Sequence, residues 1–213
     1  GQEYTLTTTW CDVIHKLMCQ RISIFADFEP MPADELSKLV DYSNRIFEEA
    51  LKDNNEQATW CLRYSQRRKP DEGASATAKL IHASSDFNAW RDDCHMAAYG
   101  EQNVDGMTWE AFSHVDDGKA KTAGDLFDQL AYRGWTAREW QDALNCLADR
   151  GWIADDEAGY QSTEQGKVIR HAVEKKTDDL FYESWDTLRQ DEQIEYVYLL
   201  NKINDVCTAI LSE

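Results

Sequence analysis

Apolar residues recur at three- and four-residue steps through most of the chain, the spacing that lines one face of an α-helix. Thr7 to Phe25 sets Trp10, Val13, Ile14, Leu17 and Met18 on one broad face, and Phe28-Glu-Pro-Met-Pro32 ends that run. Each proline there disfavours helical geometry in the residue before it. Pro32 to Lys52 is an amphipathic helix with Leu36, Leu39, Val40, Ile46, Phe47, Ala50 and Leu51 inward, stopped by Asp53-Asn-Asn55. Gln57 to Arg68 is shorter, with Trp60, Cys61 and Tyr64 as its apolar side. Pro70 and the Gly/Ala/Ser stretch to Ser75 then read as a loop. Two further helices follow, Ala76 to Tyr99 through Leu80, Ile81, Phe87, Trp90 and Ala97, and Val104 to Val115 through Met107 and Phe112.

The pattern is most informative between Thr122 and Thr163. Ala123 to Arg133 carries Leu126, Phe127 and Leu130 on one face, and Gly134 makes a short turn. Thr136 followed three residues later by Glu139 is a capping box, in which hydroxyl and carboxylate each satisfy an amide of the first turn. The helix it opens buries Trp140, Leu144 and Leu147, flanked by Ala143 and Ala148, and Gly151 supplies the left-handed residue that ends it. The period then changes. Trp152-Ile153-Ala154, an acidic turn Asp155 to Gly159, and Tyr160-Gln161-Ser162 read as two short strands. Ser162-Thr-Glu-Gln165 is a second capping box, opening a helix to about Leu188, and Glu192 to Leu211 is a last one. In that last helix Ile194, Val197, Tyr198, Leu200, Ile203, Val206, Cys207, Ile210 and Leu211 form the apolar pattern. The fold expected is mainly α: a helical bundle plus a winged helix-turn-helix with a two-stranded β-hairpin. The expected divisions are 1–103, an amino-terminal helical region; 104–190, the winged helix; and 191–213, a packing or dimerisation helix.

Asp149-Arg-Gly-Trp-Ile153 and Thr163-Glu-Gln-Gly-Lys167 are the most specific segments, and over roughly residues 105 to 190 the chain resembles the winged-helix domain of MarR-type bacterial regulators. A fainter likeness, through Asp92-Asp-Cys-His-Met-Ala-Ala98 and Arg133-Gly-Trp-Thr-Ala-Arg-Glu-Trp140, is to actinobacterial proteins of unassigned function with a MarR-like carboxyl half. The resemblance implies that Ala137, Arg138, Gln141, Asp142 and Asn145 face the major groove, where Arg, Gln and Asn read base edges. Arg138, Gln141 and Asn145 are therefore the DNA-binding candidates. It also implies a homodimer built by the terminal helices; the alternative is that the last helix packs on its own chain.

Charge complicates that reading. With 40 acids against 22 bases, net −18, the average surface repels a polyanion whose affinity comes from phosphate neutralisation. Where MarR-type wings carry arginine, this chain has Asp155-Asp156-Glu157. Either the winged helix serves as a scaffold for a small apolar ligand or a protein partner, or it contacts DNA at high salt, where repulsion is screened within a few ångströms. Hydrophobic residues at 42% argue for a packed globule. No apolar run of about 20 residues suggests a membrane span, and a cytoplasmic protein is expected. The six cysteines contain no C-x-x-C pair and read as reduced core residues.

Chemistry-bearing candidates are few. Asp92 and His95 share a helix face, as an acid–base or ligand pair would, and give the enzyme or metal reading its residues. Cys11, His15 and Cys19 repeat at four-residue steps, but neither spacing is a zinc signature. Trp60, Tyr64, Phe87, Trp90 and His95 are candidates for a ligand pocket between helices, against the plainer reading that such rings are core. His82, His114 and His171 stand alone, and Arg67-Arg68-Lys69 is a basic loop end that could dock an anion. No nucleophile elbow, phosphate loop or H-E-x-x-H occurs, so no catalytic residue, cofactor or metal is expected.

Overall fold

The computed structural model describes residues 29–52 and 58–211, so the helix expected over Thr7 to Phe25, with His15, Cys11 and Cys19, lies outside the described residues. The helices are α1 (Ala33–Ala50), α2 (Trp60–Gln66), α3 (Ala76–Gly100), α4 (Gly106–Asp116), α5 (Ala123–Gln129), α6 (Ala137–Asp149), α7 (Glu164–Glu183) and α8 (Gln190–Leu211). Strands β1 (Ile153–Asp156) and β2 (Gly159–Ser162) separate α6 from α7. The chain divides into two compact units, one of residues 94–180 and one comprising the rest.

In the unit of residues 94–180, Trp109, Phe112 and Val115 of α4 meet Leu126, Trp140, Leu144 and Leu147, with Trp152, Ile153 and Val173 completing the core. Of the two caps in the helix-turn-helix, the one that opens α6 forms as expected and the one that opens α5 is an addition. Thr122 and Asp125 cap α5 reciprocally, and Thr136 and Glu139 do the same for α6. Leu130 leads into a single 3₁₀ turn, Ala131–Arg133, and Gly134 turns the chain at φ +79°. Gly151 closes α6 at φ +71°, the left-handed region that favours glycine. Phe127 departs from expectation: Leu126 and Leu130 are buried, whereas Phe127 is exposed.

The hairpin is tighter than its sequence suggested. Ile153 pairs with Ser162 and Asp156 with Gly159, so the turn is Glu157-Ala158 alone and both aspartates lie in β1. Asp156 holds this turn, its carboxylate accepting from the Ala158 amide at 2.7 Å and from Gln161 Nε2 at 2.8 Å. The second capping box is corrected by one residue. Thr163, not Ser162, caps α7: its hydroxyl accepts from Gly166 N at 3.0 Å and donates to the Gly151 carbonyl at 2.6 Å. Ser162 ends β2 with its hydroxyl buried.

In the other unit α1 supplies Leu36, Leu39 and Ile46 to a cluster with Leu188, Tyr196 and Leu199. Arg45 forks onto Glu192 at 2.8 and 3.0 Å, and Glu192 also accepts from Arg189 N. Those bonds hold the Glu192 carboxyl down to about 2. One expectation fails here. The buried face of α2 is Leu62 and Ser65, while Trp60 stays 61% exposed and stacks on Tyr64 at 5.5 Å. On α8 the buried apolar side chains among the described residues are Tyr196 and Leu199, and Ile194, Val197, Tyr198 and Leu200 are exposed.

Candidate functional site

The α6 surface follows from its cap and its buried stripe. With Trp140, Ala143, Leu144 and Leu147 inward, the helical period turns Arg138, Asp142 and Asn145 to the outside, and all three are exposed. Gln141 is half-buried and engaged: its amide donates to Asn145 Oδ1 and to the Tyr160 hydroxyl, both at 3.1 Å. The latter bond ties α6 to the hairpin. Of the three base-reading candidates, then, Arg138 and Asn145 lie open and Gln141 serves partly as a brace.

Electrostatics decide what this surface can attract. Residues 94–180 contain 17 acids and nine bases. Seven of the nine bases are already occupied. Lys119, Arg133, Lys167, Lys175 and Lys176 pair with Asp117, Glu110, Glu164, Asp179 and Glu101. Arg150 donates to the carbonyls of Gln102 and Asn103, and Arg170 pairs with Asp116 and Glu174. Exposed pairs of this kind are each worth about 1 kcal/mol or less and can be exchanged for a phosphate. Even so, only Arg138 and Lys121 stand ready as cations, while Asp155 and Glu157 lie exposed on the hairpin.

Two helices joined through a left-handed glycine, the second with an open outer edge and followed by a two-stranded hairpin, define a winged helix-turn-helix protein. A model described as a helix-turn-helix family matches residues 64–211, and the chain belongs to that family. No curated protein and no solved structure matches the chain.

The remaining candidates scatter. His95 is held between Trp109, whose Nε1 donates to Nε2 at 2.8 Å, and Thr177, whose hydroxyl lies 3.1 Å from Nδ1. The Thr177 hydroxyl donates to Val173 O, so Nδ1 carries the proton and the ring is a neutral, doubly bonded imidazole. Asp92 is exposed. Among the described residues no three His, Cys, Asp or Glu side chains converge as a metal site needs. Phe87 packs among Phe47, Phe181 and Trp185, and Trp90 donates to the Phe181 carbonyl, so both are half-buried and packed against the core. Of the five ligand-pocket candidates, Trp60 and Tyr64 line a shallow groove of about 300 Å³ together. Beside it, burial pushes the Cys61 thiol up to about 12, with Asp93 adding to the effect, which leaves no reactive thiolate.

A deeper cavity of about 480 Å³ went unread in the sequence. Val40, Phe47 and Leu51 form its apolar wall, and Gln66, His82 and Asp86 its polar one. Asp86 is only 2% exposed, and burial raises its carboxyl to about 6 against the pull of Ser65 and Gln66. The signal available was His82 and Asp86 four apart on the inner face of a helix otherwise apolar there.

Proposed function

We propose that this is a regulator-like winged-helix protein, similar to the MarR type, that acts by binding a small molecule or a protein partner and not by gripping duplex DNA. The observation that carries the reading is the scarcity of uncommitted cations around α6, two among nine bases and 17 acids. The salt slope of duplex binding scales at about 0.9 per phosphate neutralised, so two contacts give a slope near 2. Non-specific affinity then stays near or weaker than about 10⁻⁴ M at physiological salt. Fluorescence anisotropy with a random duplex is expected to show binding that weak, falling about tenfold between 50 and 200 mM salt. Arg138→Ala is expected to lower the slope by about one. Submicromolar binding at 150 mM salt would overturn the reading.

One observation favours a second reading, a DNA-binding regulator working at high salt: Arg138 and Asn145 are exposed on one face of α6, two turns apart, behind an intact cap. At 1 M salt the screening length is about 3 Å, which removes most of the repulsion. Sequence-selective binding that persists at 1 M or above would decide for it.

The reading includes a homodimer through α8, whose Ile194, Val197 and Tyr198 are 65, 52 and 63% exposed among the described residues. Light scattering is expected to give twice the chain mass of 24.6 kDa; a monomer mass would remove the dimer from the reading.

A further inference from the structure

The larger cavity is built differently from a gap left by imperfect packing. Its walls are α1, the end of α2 with the loop beyond it, and α3. Phe47 is buried behind it and Val40 and Leu51 are half-buried beside it, so a ligand would meet an apolar surface over much of its length. The volume falls in the range of small-molecule sites, about 300–1,000 Å³.

The polar wall contains a carboxyl group short of partners. Asp86 Oδ2 accepts from Gln66 Nε2 at 2.7 Å. Asp86 Oδ1 accepts no hydrogen bond from the described residues, and His82 Nε2 stands 3.4 Å from it, beyond a good contact. A buried acceptor left in this state costs about 1–3 kcal/mol, and a charged donor satisfies it best. The surrounding charge agrees. Asp86, Glu48 and Glu72 face Lys69 and Lys79, and Lys79 is occupied by the Glu72 carbonyl.

We propose that this cavity binds a small organic cation, an ammonium or amidinium on an apolar body, with its N–H group donating to Asp86 Oδ1 and its body against Val40, Phe47 and Leu51. The site rests on the reading that the protein answers to a small molecule, and it names that molecule's class.

The pH dependence follows from the groups facing Asp86. His82 lies on its own helix, and Ser65, Gln66, Arg68 and Lys69 face it from α2 and the residues just after it. An aliphatic ammonium stays charged from pH 5 to 8, whereas the Asp86 carboxyl gains its proton near 6. Cation binding therefore strengthens as pH rises through that value and weakens about tenfold by pH 5.

The test uses the full chain and three probes matched in shape: 2-phenylethylammonium, 2-phenylethanol and 3-phenylpropionate. Calorimetry at pH 7.5 is expected to show saturable one-site binding of the ammonium below about 1 mM, at least tenfold weaker binding of the alcohol and none of the carboxylate. Asp86→Asn is expected to weaken the ammonium at least tenfold. If that variant does not fold, Val40→Trp, which fills the cavity and leaves the carboxyl intact, is expected to abolish binding with an unchanged circular dichroism spectrum. No ammonium binding, equal binding of the carboxylate, or full binding by Val40→Trp would overturn the site. Tight duplex binding beside intact ammonium binding would instead remove the non-DNA reading and leave the site standing.

Discussion

Gly166→Ala is expected to cost about 3 kcal/mol or more, although alanine is the better helix former by about 1 kcal/mol. An ideal Cβ at Gly166 would lie 2.0 Å from the Trp152 carbonyl oxygen and 2.9 Å from its carbon, distances no real contact reaches. That carbonyl cannot give way. It accepts from Thr163 N at 3.0 Å, the Trp152 amide is bonded to Leu147 O at 3.0 Å, and the Trp152 ring is buried against Phe112. Helix α7 would have to retreat instead, which removes the Thr163 hydroxyl from both Gly166 N and Gly151 O and unclasps the hairpin. Gly124 provides the control. Its Cβ would make only an ordinary contact, 3.5 Å from Thr122 Oγ1, so Gly124→Ala should stabilise by a few tenths to about 1 kcal/mol. Urea denaturation followed by tryptophan fluorescence measures both. Equal midpoints for Gly166→Ala and the parent would mean that α7 does not pack on the hairpin as described.

The same clasp explains why the winged helix was the legible part of the sequence. Capping boxes, left-handed glycines and the change from helical to alternating period are local signals, each satisfied within a few residues, and Thr136–Glu139, Gly134 and Gly151 all form as the sequence implied. Where two local solutions competed, the decision lay elsewhere. Ser162 has Gln165 three residues on and Thr163 only the Gly166 amide, yet Thr163 prevails, a register that brings Gly166, the residue without a Cβ, to the Trp152 carbonyl. Trp60 illustrates the opposite limit. Seven residues of helix offer two edges that could turn inward, Trp60 with Tyr64 or Leu62 with Ser65, and the larger apolar pair is the one left outside. The candidate interface was legible as positions but not as chemistry: that Gln141 braces the hairpin through Tyr160, or that Arg133, Arg150 and Lys176 are occupied, depends on partners far along the chain. Asp86 was missed for the same reason. Its sequence neighbourhood does not reveal that one carboxylate oxygen is bonded and the other is not.

Asp93→Ala is expected to cost about 3 kcal/mol, because it removes the group that settles which edge of α2 turns inward. The first amides of any helix lack intrahelical partners. At α2 the residue before the helix, Thr59, makes no capping bond; its hydroxyl accepts from Arg63 Nε instead. The duty falls to a side chain 32 positions away. Asp93 Oδ1 accepts from Cys61 N and Oδ2 from Leu62 N, each at 2.9 Å, a cap supplied by another helix and favoured by the positive end of the α2 dipole. Alanine would strand the buried Leu62 amide and the half-buried Cys61 amide, at about 1–3 kcal/mol each, while relieving the desolvation cost of the buried carboxyl itself. Burial raises the Asp93 carboxyl by more than the two amides lower it. With the folded value above the unfolded one, this group's contribution is greatest below the ordinary aspartate range and declines as pH rises through the raised value. Asn keeps one acceptor and cannot ionise, so Asp93→Asn should lose about half as much as alanine and flatten that slope. Chemical denaturation of the parent and both variants between pH 4 and 8 measures the two effects together. If alanine proves as stable as the parent across the range, α2 is held by Leu62 packing alone, and the outward placement of Trp60 and Tyr64 needs another cause.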